Sequence, residues 1–198
     1  LYEPMSFPYH IVSHDNKLFI TTGRGVFVID ENNGHSRCLI RNEPFRAVAF
    51  DESTQKLIVA KYSNPSHLYI VDTRKNTIVG TPIDLNKPID IIKYGKSYLI
   101  LDEAGKIMKI NDSKKNASIS KLKEESDSHN FYSISVNNKT NKLFIALHHD
   151  GALYRYGLGG ALRLEKKRQT WTYAYKVLVN EKRNTVLIAQ PTMSRIAE

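Results

Sequence analysis

Ser135-Val-Asn-Asn-Lys-Thr-Asn-Lys-Leu-Phe-Ile-Ala146 reads as the end of a strand, a polar turn and a short apolar strand. The same grammar occurs in Val12-Ser-His-Asp-Asn-Lys-Leu-Phe-Ile20 and in Ala49-Phe-Asp-Glu-Ser-Thr-Gln-Lys-Leu-Ile-Val-Ala60. It returns in Leu178-Val-Asn-Glu-Lys-Arg-Asn-Thr-Val-Leu-Ile-Ala189 and, degenerate, in Ile91-Ile-Lys-Tyr-Gly-Lys-Ser-Tyr-Leu-Ile-Leu101. The apolar residues just after the turn are Leu18, Leu57, Tyr98, Leu143 and Val186, at intervals of 39, 41, 45 and 43.

A third strand follows each of the first four copies: Gly25-Val-Phe-Val-Ile-Asp30, His67-Leu-Tyr-Ile-Val-Asp72, Lys106-Ile-Met-Lys-Ile-Asn111 and Ala152-Leu-Tyr-Arg-Tyr-Gly157. Asp or Asn closes three of the four, as expected where a strand gives way to a turn. Weaker fourth strands are expected at 36–40, 77–83, 118–122 and 162–165. The second strands are continuously apolar, which predicts burial on both faces. The fourth strands alternate, as in Leu162-Arg-Leu-Glu165, which predicts one wet face. A sandwich would alternate in nearly every strand. The short runs rich in Val, Ile and Tyr do not suit helical repeats.

A period near 42 with four strands per unit is that of a propeller blade. By period and strand grammar the chain resembles the β-propeller superfamily over essentially its whole length, most nearly the YVTN and WD-like repeats. The WD-type dipeptide itself is absent, since the single Trp171 precedes Thr172. A second likeness is to insect ommochrome-binding proteins, secreted pigment carriers. It rests on Glu43-Pro-Phe-Arg-Ala-Val-Ala-Phe-Asp51 with Tyr69-Ile-Val-Asp-Thr73. The expected fold is all-β: one β-propeller over 1–198 with four-stranded antiparallel blades near 9–40, 45–83, 88–123 and 131–168. An incomplete fifth blade is expected over 174–198, which makes 18 strands. An open propeller leaves an apolar blade face uncovered, so the stretch is expected to be a portion of a larger ring of six to eight blades. Closure as five blades, with 1–6 completing the last, is the alternative.

Apolar residues make up 41% of the 198 and charged residues 25%, which excludes a disordered or collagen-like chain. The single Cys38 excludes a disulfide scaffold, reads as a small buried hydrophobe and slightly favours an intracellular compartment. The sequons at Asn111, Asn116 and Asn138 leave secretion open, so the localisation stays unknown. No apolar run reaches the roughly 18 residues of a membrane-spanning helix.

In propellers the first strand of each blade lines the channel. The loops from second to third strand share one face with the connections between blades. The resemblance therefore places partner contacts on the loops near 23–25, 63–67, 102–105, 148–151 and 190–194. Arg24, between two glycines in a hairpin, projects from that face. His67 closes the second such loop, and His149 lies in His148-His149-Asp150-Gly151. Adjacent residues on a strand point oppositely, so the two His do not readily share one metal ion, and Asp-Gly reads as a turn. His10 and His14 with Asp15 likewise read as turn chemistry. Trp171 and Tyr173 stand where a connection enters a first strand, and such rings are enriched at contact sites. Tyr175 reads as core. Arg24, His67, His149, Trp171 and Tyr173 are the candidate partner contacts.

Catalytic, metal and cofactor residues are not assigned. Of the first-strand charges Arg46, Asp90, Lys93 and Lys176, one carboxylate is too few for a hard cation. The expected function is a non-enzymatic scaffold that engages a protein or peptide partner through its loop face and channel mouth. The net charge of +9 suits an acidic partner. Its densest run, Lys166-Lys-Arg168, is expected on a blade rim after the fourth strand. Nucleic acid, held through phosphates, is a less favoured partner, because basic and aromatic residues do not interleave. The alternative is a secreted small-molecule binder of the pigment type. A metal-dependent hydrolase is the third reading.

Overall fold

The computed structural model describes residues 7–75, 77–111, 114–121, 131–148, 151–160, 162–169, 173–190 and 195–197. The described residues form nineteen strands and no helix. The first sheet is β1 (Pro8–His14), β2 (Lys17–Thr22), β3 (Gly25–Asp30) and β4 (Ser36–Arg41). The second is β5 (Phe45–Asp51), β6 (Lys56–Lys61), β7 (Ser66–Asp72) and β8 (Thr77–Leu85). The third is β9 (Pro88–Tyr94), β10 (Ser97–Asp102), β11 (Lys106–Asn111) and β12 (Lys114–Lys121). The fourth is β13 (Phe131–Asn137), β14 (Lys142–Leu147), β15 (Ala152–Gly157) and β16 (Arg163–Gln169). The fifth is β17 (Lys176–Asn180), β18 (Thr185–Gln190) and β19 (Arg195–Ala197). Each sheet is an antiparallel meander in chain order.

The expected four complete four-stranded sheets and a partial fifth are present. The short β19 raises the strand number by one. Every anchor of the repeat occupies the second residue of a second strand: Leu18, Leu57, Tyr98, Leu143 and Val186. The rim strands run further than their alternation suggests. β12 begins at Lys114, and β16 runs through Lys166, Lys167 and Arg168, so that basic run lies in the rim strand and not after it.

Local chemistry explains the meander. Asp15 and Asn16, both with positive φ, form the two-residue turn between β1 and β2. Gln55, Asn141 and Asn184, also with positive φ, end the longer turns before β6, β14 and β18. β6 is buried except at its two lysine ends, and β10 is buried throughout. β16 is exposed everywhere but Leu164.

The chain divides into two compact units, Leu1–Ile91 and Ile92–Glu198. In the first unit, Phe19, Val26 and Val28 of one sheet pack with Phe45, Val48, Leu57, Val59 and Val71 of the next. Cys38 is half-buried rather than buried, and its thiol donates to the Ile40 carbonyl at 3.0 Å. In the second unit, Ala146 packs with Ala174, Val177 and Ile188.

A polar seam joins neighbouring first strands within each unit. The first strand of a sheet has a strand neighbour on one side only, so its outer N–H groups need other acceptors. The Val48 amide of β5 donates to His10 Nδ1 of β1 at 3.3 Å. At the equivalent place the Val177 amide of β17 donates to Ser133 Oγ of β13 at 3.3 Å. Val179 repeats the pattern with Ser135 at 3.0 Å. Ala47, aligned with His10 and Ser133, has no acceptor to offer, and the Ile91 amide is met by the Asp90 carboxylate at 3.0 Å. Asp90 Oδ1 also lies 3.6 Å from His10 Nδ1. His10 is therefore not turn chemistry: it sits at the far end of β1 from the Asp15–Asn16 turn and serves as an acceptor between sheets.

Candidate functional site: an aromatic cluster where the first strands begin

In each sheet the first and third strands begin, and the second ends, at the same edge. The approach to the first strand repeats in detail. Phe7, Lys87 and Tyr173 occupy the same place in three repeats, and all have positive φ, 51°, 39° and 64°. Two residues later stand Tyr9, the buried Ile89 and Tyr175, with Arg46 and Tyr132 at the same point of the remaining two repeats. The strand register shifts at Tyr9, at Arg46 and at Tyr132, so each is the extra residue of a β-bulge. A bulge re-aims its side chain out of the regular pleat. Tyr9 is 55% and Tyr175 39% exposed, so Tyr175 is a surface ring rather than a core one.

In the second unit these positions gather four rings. His148, just beyond β14, stacks on Tyr132 with centroids 4.7 Å apart and an interplanar angle of 27°. Tyr175 meets His148 edge-on at 4.4 Å and Tyr132 at 5.0 Å. Tyr173 leans on His148 at 5.0 Å. All but Tyr175 are half-buried. Such pairs contribute about 0.5–1.5 kcal/mol each beyond their buried area. The result is a rigid surface of π-faces and hydroxyl groups.

In the first unit the equivalent positions are Arg46 and Tyr62, and the Arg46 guanidinium lies 4.8 Å from the Tyr62 ring centroid. Around them, Lys61 pairs with Glu43 at 3.2 Å, and Phe45 meets Tyr69 edge-on at 5.8 Å. Burial first, and then the neighbouring Glu43 carboxylate, push the Tyr69 hydroxyl pKa above its ordinary value. His67 is the second residue of β7, not the end of a loop, and its Nδ1 is 3.0 Å from the Asp84 carboxylate on β8. Arg24 is exposed in the turn between β2 and β3. Its amide donates to Thr22 Oγ1 at 3.1 Å, and its carbonyl accepts from the Asn42 amide at 2.9 Å.

Of the five expected contacts, Tyr173 joins the aromatic cluster, while Arg24 and His67 take part in separate interactions. His149 and Trp171 lie outside the described residues. Tyr132, His148, Tyr175, Arg46 and Tyr62 are not among the contacts expected from the sequence. The signal that finds three of them is positional: Arg46, Tyr132 and Tyr175 each stand eleven residues before the anchors Leu57, Leu143 and Val186.

No protein-family model matches the chain, and no curated protein matches it by sequence. Solved structures do match. A virginiamycin B lyase from Staphylococcus aureus with quinupristin superposes with a TM-score of 0.77 at 10% identity, over 99% of this chain and 67% of that one. The Cps50 (Swd1) β-propeller domain from Myceliophteria thermophila gives 0.74 at 10% identity, over 92% and 66%. The fold is that of a β-propeller. An auxiliary nutrient binding protein from Bacteroides thetaiotaomicron gives 0.75 at 9% identity, over 98% of this chain and 59% of that one. The chain thus spans about two thirds or less of the propellers it matches, and its sheets are blades.

Proposed function

We propose that the five sheets are blades of one propeller that acts as a non-enzymatic binding scaffold. It takes a protein or peptide partner on the edge where the first strands begin. The observation that carries this is the cluster Tyr132, His148, Tyr173 and Tyr175. Its rings are braced against one another, Tyr132 is the extra residue of a bulge with Tyr175 at the equivalent place of the next repeat, and Tyr175 is open to solvent. Rigid aromatic groups with polar tips supply contact area at low entropic cost and dominate binding hot spots. The polar groups of the first unit pair with one another, Glu43 with Lys61 and His67 with Asp84, which suits recognition better than proton transfer.

The test is selection of peptides from a display library lacking Asp and Glu, which removes simple charge attraction. Recovered peptides are expected to lose at least ~30-fold in affinity to Tyr175→Ala, the scale of a 2 kcal/mol hot spot. Peptides that bind Tyr175→Ala and Tyr132→Ala as tightly as the parent chain would count against the reading. The second reading, a small-molecule carrier, draws on the same rings, which suit a planar ligand. Native mass spectrometry of protein from its own host, showing a stoichiometric small molecule lost on Tyr175→Ala, would favour it instead.

A further inference from the structure

β16, Arg163-Leu-Glu-Lys-Lys-Arg-Gln169, is the last strand of its sheet, and β15 is its only strand neighbour among the described residues. Six of its seven residues are exposed, and four of those are cationic. Its one carboxylate is already engaged: Glu165 pairs with Lys142 Nζ, and with Arg155 Nε at 3.2 Å. The Lys142 hydrogen bond, outweighing burial, holds the Glu165 carboxyl below its ordinary pKa, so it stays ionised and matched. Lys142 and Arg155 bring the local population to six cations against one carboxylate.

The other described rims differ. β8 carries Pro82, which has no amide to donate, and the acidic Asp84. β4 has a half-buried Cys38-Leu-Ile40 centre. Among the rims whose burial is described, β16 joins an exposed edge, six residues of seven, to dense positive charge. The row of like charges repels a second copy of the same strand. It attracts a strand of opposite sign.

We propose that β16 is a docking edge for an acidic, extended peptide segment, which adds to the fourth blade as a fifth strand. Beyond the register shift at Glu165, backbone groups from Lys166 to Gln169 repeat every ~3.3 Å, and side chains on one face recur at twice that spacing, which matches acidic residues alternating along a paired strand. Lys166 and Arg168 lie on one face of β16 and Lys167 on the other, where its ammonium is 5.3 Å from the Tyr154 ring centroid. A peptide with acids on either face therefore meets a cation. β16 itself offers no ring for a base to stack on, which favours a peptide over single-stranded nucleic acid. This edge is separate from the aromatic cluster and does not depend on what that cluster binds.

The experiment uses the full chain and a labelled eight-residue peptide of alternating Glu and Val, capped at both ends, with fluorescence anisotropy in low and moderate salt. A second peptide of the same sequence carries N-methyl groups on alternate residues, which keeps the charge and removes one row of amide donors. A (dT)8 oligonucleotide is the third probe. The expected result is binding by the first peptide, weakened at least tenfold by N-methylation on the parent protein and at least tenfold by Lys166→Glu/Arg168→Glu. Equal binding of the methylated peptide would overturn strand addition. Tighter binding of the oligonucleotide, or no binding of the acidic peptide in low salt, would overturn the assignment of partner.

Discussion

Tyr173 holds a left-handed backbone, φ 64°, that a bulky residue adopts only at a cost of about 1–2 kcal/mol. Its ring leans on His148, so the surrounding cluster stabilises a conformation the residue itself resists. Tyr173→Gly relieves the backbone and Tyr173→Ala does not. Thermal denaturation is expected to place the Gly variant about 1 kcal/mol above the Ala variant, while both lose partner affinity. An Ala variant as stable as the Gly variant would remove the strain. Gly105 makes the opposite case: φ is 76°, and an added Cβ would stand 2.1 Å from the Phe131 ring. Gly105→Ala is expected to cost about 2–4 kcal/mol by the combined penalties of conformation and overpacking. Asp102 carries a pH dependence. Burial, outweighing the Lys106 amide that donates to it at 2.7 Å, raises its pKa. The folded state then holds the proton more tightly than the unfolded one. Its effect is most favourable in acid and is lost as pH rises from about 4 through the higher folded value. Asp102→Asn is expected to flatten that decline in denaturant titrations run across acid to neutral pH; an unchanged slope would mean that another group sets it.

The seam between first strands makes the blades differ in a measurable way. Val177 is buried and its amide rests on Ser133 Oγ, so Ser133→Ala leaves a donor stranded. The expected loss is about 1–3 kcal/mol in urea unfolding, against a few tenths for an exposed serine-to-alanine change. Leu57 and Leu143, both fully buried at the same repeat position, should each cost about 2–5 kcal/mol as Ala. At this scale the sequence was highly readable. The anchors Leu18 to Val186 lie where the period puts them; Leu57, Tyr98 and Leu143 are buried as unbroken apolar runs predict, while Leu18 and Val186, toward the ends of the chain, are half-buried. Rim strands were less readable, since one pairing partner and a wet surface leave composition nearly free: Lys166-Lys-Arg168 looks like a loop and is a strand. The cluster was least readable. Left-handed turns usually announce themselves by glycine or asparagine, but here Phe7, Lys87 and Tyr173 occupy them. His148 reads as turn chemistry beside Asp150-Gly151, and only its contact with rings 16 to 27 residues away reveals another role.

Across the whole molecule, the repeat turns one local recipe into several equivalent positions, and side-chain chemistry varies over them without disturbing the blades. Aromatic pairs occupy them in the second unit and the Arg46–Tyr62 pair in the first. The net charge of +9 adds a separate, salt-sensitive attraction. Binding at the aromatic cluster by a neutral peptide should change less than threefold between low and moderate salt, whereas binding at β16 should fall steeply. A partner held on the edge where the first strands begin should shield that edge from solvent. Hydrogen exchange read by mass spectrometry, with and without a peptide selected from the acid-free library, tests it most directly. Slowed exchange in 131–134 and 173–177 is expected on binding. Protection confined to the rim strands, with those two segments unchanged, would contradict it.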